Sequence, residues 1–130
     1  GIPVAGADKQ KFAAHAATAD PIFIEMGARK VVECWGDNVP KGHTTDFQGA
    51  VEVNDDESVV FSWIEWPDRA TRDAGMAKMM TPDFADERMD PAINPMPFDG
   101  KRMIFGGFEP IVSHGTPGKD DYVQGFLIPV

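Results

Sequence analysis

The tripeptide Ile2-Pro3-Val4, near one end of the chain, returns as Ile128-Pro129-Val130 at the other. Read head to tail, Tyr122-Val123-Gln124-Gly125-Phe126-Leu127-Ile128-Pro129-Val130 runs into Ala5-Gly6-Ala7-Asp8-Lys9-Gln10 as a strand, a short turn and the start of a helix. Such an overlap is expected of a circularly permuted domain, opened between its first strand and first helix, where cutting a chain is best tolerated. It limits the possible folds more than any one side chain limits the chemistry.

The interior supplies the other elements. Between Asp8 and Gly27, Phe12, His15 or Ala16, Ala19, Ile22 or Phe23, and Met26 recur at helical spacing. Pro21, placed after Asp20, splits that helix or kinks it, and Gly27 is a C-terminal stop. Arg29 to Trp35 alternates as a strand, with Val31, Glu33 and Trp35 on one face and Lys30, Val32 and Cys34 on the other. A polar, turn-rich loop follows from Gly36 to Asp46. Phe47–Val53 and Ser58–Trp66 are predicted to be strands of a hairpin around Asn54-Asp55-Asp56-Glu57. Asp68 is placed to cap a helix from Arg69 to Met80, and a short helix is expected between Asp83 and Met89. Arg102–Val112 and Asp121–Ile128 read as the last two strands, joined by a linker over 113–120.

Moving the final strand to the front gives the order β-α-β-β-α-β. The expectation is therefore an α+β fold in one domain, 1–130: a circularly permuted, ferredoxin-like antiparallel four-stranded sheet with two helices on one face.

Charge and composition narrow the function classes. The 130 residues suffice for one hydrophobic core burying roughly two thirds of the unfolded surface. A net charge of −9 argues against sequence-independent binding to nucleic acid or to an anionic membrane, since both need clustered Lys and Arg. Cys34 is the single cysteine, so no internal disulfide forms, which suits a reducing cytoplasm. No apolar run approaches the 18 or so residues of a membrane span, and no signal-like start is seen, so a soluble, unexported protein is expected. A first residue of Gly rather than Met fits a protease-trimmed product, and initiator processing would leave the same end.

The runs Val32-Glu33-Cys34-Trp35-Gly36-Asp37-Asn38-Val39-Pro40-Lys41-Gly42, Val59-Val60-Phe61-Ser62-Trp63 and Pro67-Asp68-Arg69-Ala70-Thr71-Arg72-Asp73 carry a family resemblance. The most specific piece is Met96-Pro97-Phe98-Asp99-Gly100-Lys101-Arg102-Met103-Ile104-Phe105-Gly106-Gly107-Phe108. Together they resemble the YbaA-like bacterial family of unknown function over nearly all of residues 5 to 112, and Asp121–Val130 resembles that family's opening strand. The resemblance implies a dimeric α+β barrel, in which each ferredoxin-like protomer packs its sheet against a second copy. It brings no catalytic residues, because none are established for the family.

Residue by residue, the chemistry is sparse. Two helices cover one face of a four-stranded sheet, so Phe61, Trp63, Phe105 and Tyr122 or Phe126 would line an open apolar face large enough to mark an interface. Homodimerisation through that face is expected, with a small-molecule cavity between the sheets as the sharper possibility. Glu33, Glu65 and Glu109 lie on strands with large aromatics and could place an acid there, although solvated edge positions explain each as well. His43 shares its loop with Asp37 and Asp46, but no His or Cys pair has zinc spacing, so neither metal nor cofactor is expected. His15 falls in a helix and His114 in the linker. Cys34 reads as a small apolar packer. Lys101 and Arg102 could hold an anion or, more simply, pair with Asp99 or Glu109.

Two function classes follow. One is a structural scaffold, an engineered permutant of a protein without assigned activity. The other is a small-molecule binder or a cofactor-independent monooxygenase-like enzyme, with Glu33, Trp35, His43 and Trp63 as candidate residues.

Overall fold

The longest strand, β3 (Glu57–Glu65), runs up the centre of a three-stranded antiparallel sheet. The computed structural model describes residues 1–130. On one side β1 (Ile2–Ala5) pairs with the first half of β3, Ile2 opposite Val60 and Ala5 opposite Glu57. On the other, β2 (Lys30–Trp35) pairs with its second half, Trp35 opposite Val60 and Lys30 opposite Glu65. Side chains alternate between faces, so Ile2, Val4, Val60, Ser62, Ile64, Val31, Glu33 and Trp35 share one. Val59, Phe61, Trp63, Lys30, Val32 and Cys34 share the other.

α1 (Lys9–Ala19) covers the first face. Its residues Phe12 and Ala16, one turn apart, are buried against Ile2, Val4 and Val60, with Trp35 and Phe98 packed at the margin. Phe98 meets Phe12 edge-on, ring centres 5.9 Å apart. Pro21 lacks an N–H and opens α2 (Pro21–Glu25), which buries Ile22. Gly27 adopts φ 108°, in the left-handed region that L side chains avoid, and ends this helical stretch. The Asp68 carboxylate accepts the Thr71 N–H at 2.7 Å and starts α4 (Arg69–Met79). Gly75 lets α4 approach closely: a Cβ there would stand 3.1 Å from Met26 and 3.2 Å from the Trp66 ring.

The four-stranded sheet is not formed. Ile2–Ala5 itself pairs as an outer strand, and neither Arg102–Val112 nor Asp121–Ile128 forms a strand. After a single 3-10 turn at Gly100–Arg102, only Gly1 and Ile104 exchange backbone hydrogen bonds, at 2.9 and 3.0 Å. Gly106 and Gly107 offer no side chain for cross-strand packing, which weakens any strand through them.

The expected Phe47–Val53 strand is also replaced. Asp46 accepts the Gly49 N–H at 2.6 Å and caps a one-turn helix, α3 (Phe47–Ala50), so the hairpin around Asn54–Glu57 does not form. β3 pairs instead with β1 and β2. The helix expected within Asp83–Met89 shrinks to a 3-10 turn at Glu87–Met89, capped by Asp86. The helices that α1, α2 and α4 represent lie where the periodicity places them.

Few side chains are buried for a chain of this size: only 12 of 130 residues. The molecule exposes 9790 Å2. A compact monomer of 14.2 kDa exposes about 6,800 Å2, leaving an excess of roughly 3,000 Å2. Much of it belongs to residues 103–130, where Phe105, Phe108 and Ile111 are 86%, 84% and 91% exposed. The stability should accordingly sit in the α1–α2 side of the sheet. Ile22→Ala is expected to cost about 2–5 kcal/mol, whereas Ile111→Ser should stay within about 0.5 kcal/mol, both read from urea denaturation midpoints.

Candidate functional site

Glu33 points from β2 toward α1, into the less polar side of the sheet. Ser62, its register partner on β3, donates its hydroxyl to the Glu33 carboxylate. Burial pushes the Glu33 carboxyl above its ordinary value. The Ser62 hydrogen bond, the chain's first amino group and His15 pull it partly back.

Asp20 stands at the junction of α1 and α2. It precedes Pro21, a position that favours a capping aspartate, yet its backbone is helical and its side chain makes no capping hydrogen bond. The carboxyl is left free, half-buried and close enough to Glu33 to feel its charge. Burial first, and the Glu33 charge second, raise its pKa from 3.8 to about 7. Asp20 also lines a cleft of ≈ 460 Å3 with Ala17, Pro21, Ile24, Glu25 and Val31, between the helices and the outer edge of β2. His15, one turn earlier on α1, sets its ring edge-on to Phe98 at 6.2 Å. Its Nδ1 is buried without a hydrogen-bond partner. Asn94 steadies this end of α1, its amide donating to the His15 carbonyl at 3.4 Å and to the Arg88 carbonyl at 2.8 Å.

Asp20 and Glu33 therefore form a carboxyl pair of which both members hold protons more tightly than in water. With its pKa at about 7, Asp20 can donate or accept a proton near neutral pH.

The four residues proposed from sequence are separated by the fold. Glu33 and Trp35 face the helices; the Trp35 ring packs on the core and carries the Lys9 ammonium 5.6 Å from its centre. Trp63 is on the opposite face, 6.0 Å from Phe61, which in turn meets Phe47 at 5.9 Å. His43 is exposed in the loop after β2. Cys34 lies on the Trp63 face, where burial and then the Glu33 charge push its thiol pKa up. Glu65 and Glu109 are exposed. Arg102 pairs with Glu57 at 2.6 Å as well as with Asp99 at 3.1 Å, so its charge is spent inside the chain.

Asp20 and Ser62 were not among the sequence candidates. Asp20 before Pro21 reads as an ordinary helix cap, which hides it. A lone serine amid Val59-Val60-Phe61-Ser62-Trp63-Ile64 was a usable signal, since a buried hydroxyl calls for a partner across the strand.

Residues 2–100 match the model of a family described as protein of unknown function, DUF1428. The chain belongs to the DUF1428 family. It is similar to the uncharacterized protein YbaA of Escherichia coli strain K12, with 49% identity over 111 residues, covering 85% of this chain and 92% of that protein. The YbaA proteins of Escherichia coli O157:H7 and Shigella flexneri align with the same identity and coverage. The DUF1428 match takes in His15, Asp20, Glu33 and Ser62 and ends at residue 100, just before the segment without strands or α-helices. No helix in this DUF1428 chain is long and apolar enough to cross a membrane.

The Asp20 shift has a measurable sign. Its pKa is raised in the fold, so its contribution to stability is complete below 3.8 and is lost as pH rises through about 7. Urea midpoints across that range should fall less in Asp20→Asn than in the parent; equal falls would remove Asp20 as the source.

Proposed function

We propose that this protein binds a small organic molecule in the cleft beside Asp20, and that Asp20, whose hold on a proton the Glu33 charge strengthens, exchanges a proton with it. The observation that carries this reading is a carboxyl titrating at about 7 on the wall of an otherwise largely apolar cleft. The cleft has the volume of a ligand site, and a few polar groups, here Asp20 and Glu25, among apolar neighbours are the usual composition of such sites. Glu25, Asp20 and Glu33 nearby disfavour an anion, so the class that fits is a neutral or cationic molecule offering a hydrogen-bond donor or acceptor to Asp20. A binding protein with modest acid–base capacity fits better than an oxygen-using enzyme, because Trp35, Trp63 and His43 do not surround one space. A lone thiol held protonated by burial suits a reducing cytoplasm.

We further propose that the protein works as a homodimer joined through the sheet face that carries Val32, Cys34, Phe61 and Trp63, where Phe47 of the one-turn α3 meets Phe61 edge-on. The excess of roughly 3,000 Å2 per chain, much of it on residues 103–130, exceeds the roughly 1,000–2,500 Å2 that each partner of a stable homodimer buries, so a second copy has ample surface to cover. Sedimentation equilibrium should give about twice the single-chain mass, and Trp63→Glu should return it to one chain; a single-chain mass at every concentration would sink the dimer. For the cleft, a screen of neutral and amine fragments by NMR should give saturable shifts at Ala17, Ile24 and Val31 that disappear in Asp20→Leu. Shifts that never saturate, or that survive this substitution, would count against the ligand site.

A further inference from the structure

The open sheet face is not bare. Residues 118–126 lie across it, tied at both ends of β2. Lys30, which starts β2, donates from its ammonium to the Gly118 carbonyl at 3.3 Å. Tyr122 donates its phenol to Asp37, just past the end of β2, at 3.0 Å. Asp121 folds back to accept the Gly118 N–H, which closes the turn that aims this segment. Gly125 then rests on the tip of the Phe61 ring: a Cβ there would stand 3.1 Å from the ring's Cζ. Within residues 118–126, Val123 and Gly125 are the half-buried positions; the flanking Tyr122, Phe126, Leu127 and Ile128 are 58–76% exposed. The segment thus meets the sheet through its smallest residue and turns its largest apolar groups outward.

We propose that residues 118–126 are a strap that closes the open face in the single chain and must swing away when a second copy docks there. This rests on the homodimer reading above, since the strap and the second copy need the same Phe61 surface. The second copy is the occupant that the exposed area favours: outward-facing Phe126, Leu127 and Ile128 gain burial only when the strap has another surface to join. The strap's own hold is slight, two hydrogen bonds and one ring contact, so it can yield to a larger interface. If it is closed about nine-tenths of the time in each copy, it weakens dimerisation about a hundredfold, because both copies must be open to associate.

Cys34 reports on the strap without any label, since it is the register partner of Phe61 on the same face. Two altered chains separate the possibilities. One ends at Ser113, and removes no buried residue. The other keeps the full length and carries Gly125→Leu, whose side chain would collide with the Phe61 ring. Both are compared with the parent by the rate of Cys34 alkylation by iodoacetamide at a dilution where all are single chains, and by the dimer dissociation constant from sedimentation. The expected result is several-fold faster alkylation and about a hundredfold tighter dimerisation in both. Unchanged alkylation in both would overturn the strap, whatever their assembly. Faster alkylation with dimerisation unaltered would overturn the competition. Faster alkylation in chains that never dimerise would keep the strap as a cover and remove the homodimer reading instead.

Discussion

Val60 is the residue on which the rest of the structure leans. Ile2 lies across from it on one side and Trp35 on the other, and Phe12 and Ala16 of α1 pack over that row. One position therefore fixes both strand registers and the seat of the first helix. Because side chains alternate along a strand, setting Val60 toward α1 also sets Ser62 and Glu33 there, and sends Phe61, Cys34 and Trp63 to the other side. The partly buried acid and the aromatic face are consequences of the same register.

The helix side then determines the chemistry. A carboxylate beneath a helix costs desolvation energy unless something satisfies it. Glu33 receives one hydroxyl donor from Ser62, and the remaining cost appears as a proton held tightly and as an unfavourable field at Asp20. Asp20 is spared from capping duty because α1 runs helically through it into α2, so its carboxyl remains available at the cleft. A site of this kind needs no metal cluster or catalytic triad to be chemically distinctive; it needs a half-buried acid at a helix junction and a second on the neighbouring strand.

Much of this was legible in the sequence. Helical spacing located α1, α2 and α4, with Pro21 and Gly27 as their breaks, and alternation placed Glu33 and Trp35 on one face of β2. Other parts were hidden for physical reasons. Phe47–Val53 has strand-like residues, but the Asp46 side chain offers the backbone a helical turn, and local hydrogen bonding won. The Arg102–Val112 pattern alternates well yet contains two adjacent glycines, and pairing strength depends on cross-strand side chains that glycine lacks. The terminal Ile-Pro-Val repeat invited a four-stranded sheet, while in the structure the first copy pairs and the second does not. Asp20 escaped notice because a pKa shift of that kind depends on burial by residues distant in sequence.

The most direct test of the acid pair is the titration of the Asp20 side-chain carboxyl by carbon-13 NMR in the folded protein, with Glu33→Gln alongside. The account predicts a midpoint near 7 in the parent, moving downward when the Glu33 charge is removed. A midpoint near the ordinary 3.8, or one indifferent to Glu33→Gln, would contradict it.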